Sequence, residues 1–230
     1  MSKKFFCRAF GGLLVLALLI GVAEAIPITI QLQGHVTYVN DHDNLLGGRV
    51  VVGSPINATY MYESTTTDSN SVSDAGDYWY RTAPFGITAS AGGLTMQSDP
   101  SNTEFLVEIT DNFYDVLAGK YYDYYLLRSY HNLHNLPVTL RETHVSWQLD
   151  DSTGEAYSST DLPLVPPDLT AFQQPFGFTM TGTPAGTLPL QPFLVRGIIE
   201  SASIVPEPST LVLLGMGALG FLAWAWRRRR

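Results

Sequence analysis

The chain has 230 residues, a single cysteine and a formal charge of −8 at neutral pH, enough length for one ordinary domain that buries a core without disulfide or metal staples. Its basic residues crowd the ends: of 13 Lys and Arg, seven are Lys3, Lys4, Arg8 and Arg227 to Arg230, whereas of 21 Asp and Glu only Glu24 and Glu207 lie outside the body. Residues 26–205 are left with about −13 formal charges, a balance that repels phosphate backbones and sets nucleic acid aside as a partner.

Lys3, Lys4 and Arg8 flank the start of an apolar run from Phe10 to Val22, and Ala23-Glu24-Ala25 puts small residues at both cleavage-determining positions. This is the layout of a secretory signal peptide over residues 1–25, handled by the Sec export machinery and cut by signal peptidase before Ile26. Cys7 falls inside that segment, so the mature body is expected to carry no thiol.

From Ile28 to Asn40 apolar and polar residues alternate with the period of a half-buried strand. Similar runs follow at 49–52, 58–63, 78–82, 87–90, 94–97, 105–110, 121–130, 144–149, 176–180 and 193–204. Turn clusters stand between them, such as 41–48, 68–77, Gly92-Gly93, 99–102, Asp111-Asn112 and 150–154. No stretch between the two ends sustains a 3.6-residue apolar stripe, so residues 26–204 read as an all-β antiparallel sandwich or barrel. Prolines 163, 166, 167 and 175 mark 162–175 as an extended loop packed over a sheet edge.

Candidate chemistry is sparse along this body. Asp41-His42-Asp43 begins like a calcium loop, but Leu45, Leu46 and Val52 stand where such a loop needs an oxygen ligand, a glycine and a carboxylate. His131-x-x-His134 lacks the helix and the glutamate of a zinc motif and reads as a solvated loop pair. Ser158-Ser159 lies in a polar turn without a nucleophile elbow. No catalytic residue, metal site or cofactor is expected, and the body is read as non-catalytic, with a secreted hydrolase that pairs scattered Asp and Glu as the lesser alternative. The aromatic run is more informative: within a strand, Tyr122 and Tyr124 share one face with Tyr130 while Tyr121 and Tyr125 take the other. Exposed phenols flanked by Asp and Asn suit stacking on sugar rings, which makes Tyr122 and Tyr124 candidate ligand-binding residues for an exopolysaccharide.

At the C-terminus, Val205-Pro206-Glu207-Pro208 leads into an uncharged run from Leu211 to Trp226, then Arg227, Arg228, Arg229 and Arg230. The run reads as a single transmembrane helix whose arginines stay cytoplasmic, which places the body across the membrane in agreement with the signal peptide. Gly215-x-Gly217-x-x-Gly220 fits a dinucleotide fingerprint by letter only, since neither a preceding strand nor a later acidic residue accompanies it. The tripartite tail, residues 205–230, resembles the PEP-CTERM sorting signal of Gram-negative bacteria that make exopolysaccharide. That resemblance implies recognition by an exosortase, transient anchoring in the inner membrane with Arg227 to Arg230 as the stop, cleavage near Pro206 to Pro208, and a final place in the periplasm, on the outer surface or in the extracellular matrix. Gly34-x-Val36, Tyr60-x-Tyr62 and Leu162-Pro163 resemble a recurrent β-rich body found with this tail, which implies no activity.

Overall fold

The computed structural model describes residues 26–185 and 192–206 together with Leu219 and Arg227. The expected signal peptide with Ala23 and Ala25, the tail residues Glu207, Pro208 and Arg228 to Arg230, and nearly all of the expected transmembrane helix lie outside the described residues. Among the described residues no helix is long and apolar enough to cross a membrane.

Eleven strands follow in chain order: β1 (Pro27–Asn40), β2 (Pro55–Glu63), β3 (Ala75–Tyr80), β4 (Gly86–Ala91), β5 (Leu94–Ser98), β6 (Glu104–Asp115), β7 (Lys120–Tyr130), β8 (Asn132–His134), β9 (Leu140–Asp151), β10 (Gln173–Pro184) and β11 (Phe193–Ile204). They form one sheet, ordered β3-β6-β7-β9-β10-β11-β1-β2-β4-β5-β8, with antiparallel neighbours throughout. The all-β antiparallel expectation is met, and its form is a single curled half-barrel.

Alternation explains why the sheet curls. Ile28, Ile30, Leu32 and Val36 of β1, Tyr60 and Tyr62 of β2, and Tyr125, Trp147 and Phe178 from the opposite strands all turn inward and are buried together. A sheet with one apolar face must cover it, and here the two ends of the same sheet cover each other. Tyr60 and Tyr125 meet across the curl with their hydroxyls 2.8 Å apart, and the edge of Trp147 packs on Tyr125 at 5.7 Å between centroids. The two buried phenols thus satisfy one another's hydrogen bonding.

The curl is fastened by a buried polar seam. The chain passes from β7 to the far-edge strand β8 through His131 alone, which takes φ 55°. Ser98 of β5 bonds Ser129 of β7 at 2.8 Å, Ser129 donates to the Asn132 side-chain oxygen at 2.8 Å, and the Asn132 amide donates to the Thr143 carbonyl of β9 at 3.1 Å. Side chains thus tie the β5–β8 end of the sheet to β7 and β9 near its other end.

Three expectations are corrected. Residues 49–52 form a turn rather than a strand: Val50 alone turns inward, while Val51 and Val52 are exposed and the Val51 amide donates to Ser54 Oγ at 3.0 Å. The 131–134 loop contains β8. The 162–175 stretch is a loop only as far as Phe172, since β10 begins at Gln173; Tyr62 of β2 donates to its Pro163 carbonyl, and Tyr78 of the edge strand β3 to that of Thr160 just before it, at 2.8 Å.

Tight curvature requires glycine at β1 and β11. A methyl group at Gly34 would overlap the Ile198 carbonyl, and one at Gly197 would overlap Ile56 Cδ1 and the His35 carbonyl. Both positions sit beside register shifts in the β1–β11 ladder, where an extra residue bends the strand. Gly197→Ala is therefore expected to destabilise the protein by about 1–3 kcal/mol through overpacking, read as a lower urea midpoint with an unchanged slope.

Candidate functional site

The outward residues of β3, β6, β7 and β9 make the most distinctive surface. Register places Trp79 opposite Leu106, Leu106 opposite Arg128, Glu108 opposite Leu126 and Leu126 opposite Gln148. Leu106 and Leu126 are buried yet stand apart from the inner core, so this convex face carries an apolar strip of its own. A bulge after Thr110 aims Phe113 at the same face. Asn112 adopts φ 56° there, and its amide donates to Asp123 at 2.8 Å.

Tyr122 and Tyr124 point outward beside one another, their rings stacked at 5.7 Å and 13°, with Phe113 tilted against Tyr124 at 6.3 Å. Stacking covers one face of each tyrosine ring. Tyr125 is in the core, and Tyr121 lies beyond the core's end, exposed and packed on Tyr114 at 5.1 Å. A groove beside the pair is lined by Glu108, Phe113, Tyr124, Leu126, Arg128 and Gln148. Burial, with Asp77 nearby, pushes the Glu108 carboxyl up, and Arg128 opposes the shift. Burial also raises Asp150, partly offset by the Gln148 amide donating to it at 2.8 Å.

Further along the same face Trp79 stacks on Tyr130 at 6.3 Å, with the Arg81 guanidinium 4.2 Å from the Trp79 ring centroid. Arg81 also pairs with Glu104 at 2.6 Å, and this hydrogen bond holds the Glu104 carboxyl below its usual range. Tyr130 meets His144 edge-on at 4.9 Å. The face as a whole offers aromatic rings separated by the guanidinium groups of Arg81 and Arg128 and by several hydrogen-bonding groups. Trp79, Glu108 and Arg128 escape sequence reading because their grouping depends on cross-strand register. The only local trace is the matching Leu-x-charge pattern at Leu106-x-Glu108 and Leu126-x-Arg128.

The other sequence candidates are engaged in local structure. Asp41 accepts the amides of Leu45 and Leu46 at 2.7 and 2.8 Å and so closes its own loop. His131 pairs with Glu104 at 3.1 Å, whereas the His134 ring accepts the Leu136 amide at 3.3 Å, so the two histidines face different partners. Ser159 donates to Asp161 at 3.0 Å within its turn. The buried carboxylates Asp123 and Asp151 are register partners on β7 and β9. Asp123 takes the amides of Asn112 and Tyr157, and Asp151 those of Thr153, Glu155 and Ala156.

Burial alone would raise Asp151, but those amides and the Thr153 hydroxyl outweigh it, so its carboxyl lies below the ordinary 3.8. A carboxylate depressed on folding adds stability above its unfolded value and loses it as pH falls through the folded value. Asp151→Ala is expected to cost about 1–3 kcal/mol near neutrality. The difference from the unaltered protein should narrow below about pH 4, as read by urea titrations across pH.

The sorting residues begin where the sheet stops. The Val205 amide donates to the Thr29 carbonyl of β1 at 2.9 Å, the last bond before Pro206. Val205 and Pro206 are exposed, as is Arg227. No curated protein and no solved structure matches this chain. A family model does match its C-terminal stretch, described as the PEP-CTERM protein-sorting motif. Residues 205–230 of this chain are therefore a PEP-CTERM sorting motif.

Proposed function

We propose that the β domain is a non-catalytic structural or interaction module of the cell surface or extracellular matrix, delivered there after an exosortase has processed the tail. The motif at residues 205–230 carries this reading, since it marks an exported protein with a membrane-anchored signal that an exosortase processes. Two further features support it: the buried carboxylates Asp123 and Asp151 hold backbone amides, and the acidic body favours solubility. On this reading the signal peptide directs Sec export and is removed by signal peptidase after Ala25, and Arg227 to Arg230 hold the precursor in the inner membrane. Changing Pro206, Glu207 and Pro208 together to alanine is expected to leave the body in the membrane fraction. Immunoblots of membrane and medium check this, and release at the level of the unaltered protein would contradict the proposal.

A second reading rests on the outward Tyr122–Tyr124 stack and its flanking groove. These rings and their polar neighbours suit an exopolysaccharide, whose sugar C–H faces pack on aromatics while its hydroxyls bond side chains. Pull-down with the producer's own polysaccharide should recover the unaltered protein and lose at least about tenfold of the Tyr122→Ala, Tyr124→Ala variant, about the effect of 1.4 kcal/mol. Equal recovery of both would end this reading.

A further inference from the structure

A second cleft, on the opposite half of the outer surface, has a different chemistry. It measures about 360 Å3. Its floor is a register row running across three strands, Thr59 of β2 opposite Thr88 of β4 and Thr88 opposite Gln97 of β5. The row continues onto β1, where Gln31 lies opposite Thr59, and onto β11, where Ser203 lies opposite Gln31. Thr59, Thr88, Gln97, Gln31 and Ser203 are all exposed. Walls rise on two sides, from Pro84 and Phe85 before β4 and from Pro100 after β5.

Among the described residues, no Asp, Glu, Lys, Arg or His lines this cleft. Although the body carries about −13 formal charges, this lining leaves hydrogen bonding and apolar contact as the cleft's means of recognition. The cleft is also held in shape from below. Ser98 accepts the Ile87 amide at 2.9 Å and joins the floor to the buried seam through Ser129, while Phe85 packs on Tyr80 at 5.2 Å. A preformed groove needs little ordering when it fills.

We infer that this cleft binds a segment of an uncharged polysaccharide. Threonine hydroxyls and the glutamine amide both donate and accept hydrogen bonds, as sugar hydroxyls do. Proline and phenylalanine walls offer apolar surface to the C–H faces of the rings. Neighbouring strands lie about 4.8 Å apart, close to the advance of an extended pyranose chain per ring, so successive hydroxyls can meet successive strands. An acidic polymer finds no cation in the cleft and is repelled by the body. The site is separate from the Tyr122–Tyr124 face, and each stands or falls alone.

Native affinity electrophoresis of the full-length protein tests this, in a detergent without a sugar headgroup. Hydroxyethyl cellulose serves as the uncharged probe and carboxymethyl cellulose as its acidic counterpart. Retardation is expected in the uncharged gel only, weakened about tenfold in Thr59→Ala, Thr88→Ala by the loss of two hydrogen bonds. The Tyr122→Ala, Tyr124→Ala variant should be retarded as strongly as the unaltered protein. Gln97→Ala provides a second, single-site variant with a smaller loss in the same direction, and urea midpoints confirm that these exposed changes leave the fold intact. No retardation by hydroxyethyl cellulose, equal retardation by both polymers, or retardation that the floor variants keep and only the tyrosine variant loses would each overturn the inference.

Discussion

A sheet with one largely apolar face and no helix among the described residues of 26–206 to cover it has to cover itself, and most of this molecule follows from that requirement. Curling brings Tyr60 against Tyr125 and lets Trp147 fill the space between the two halves. The curl cannot be held by apolar contact alone, because the far-edge strand β8 has only three residues. Buried hydrogen bonds from Ser129, Asn132 and Thr143 supply the fastening. Such bonds are directional, so they fix where the edge lands as well as that it lands. The proline-rich loop is tied to the same inner face where Tyr62 donates to the Pro163 carbonyl.

Much of this was legible in the sequence because strands advertise themselves by alternation. Residues 28–40 and 193–204 became β1 and β11 almost at their expected bounds. What alternation cannot report is which strand pairs with which, and so a single curled sheet reads the same as two stacked ones. The 49–52 run misled because its valines mimic a strand, whereas the Ser54 side chain folds it into a turn. Strand β8 was illegible for the opposite reason: a His-Asn-Leu-His stretch has no period long enough to register. At the candidate site the outward placement of Tyr122 and Tyr124 could be read from one strand. The approach of Phe113 could not, since it depends on a bulge with Asn112 at positive φ.

The outer surface divides into two chemistries that the net charge conceals. Around β3, β6, β7 and β9, rings alternate with Arg81, Glu104, Glu108 and Arg128; the hydrogen bond from Arg81 lowers the Glu104 carboxyl, while burial raises those of Glu108 and Asp150. Around β1, β2, β4 and β5 the outward positions are mostly threonine, glutamine, serine and asparagine, with His35 and Met61 among them. Both surfaces stand on the same rigid backbone, and neither asks the core to move. A module with two independent faces can engage two chains at once, and the gain from doing so depends on spacing rather than on either affinity.

The bond from Val205 to the Thr29 carbonyl pins the last residue before Pro206 to the sheet. Pro206 follows at once, with a backbone angle fixed by its ring. Force applied to the chain beyond Pro206 therefore enters the half-barrel at one end, shared between β11 and, through this bond, β1.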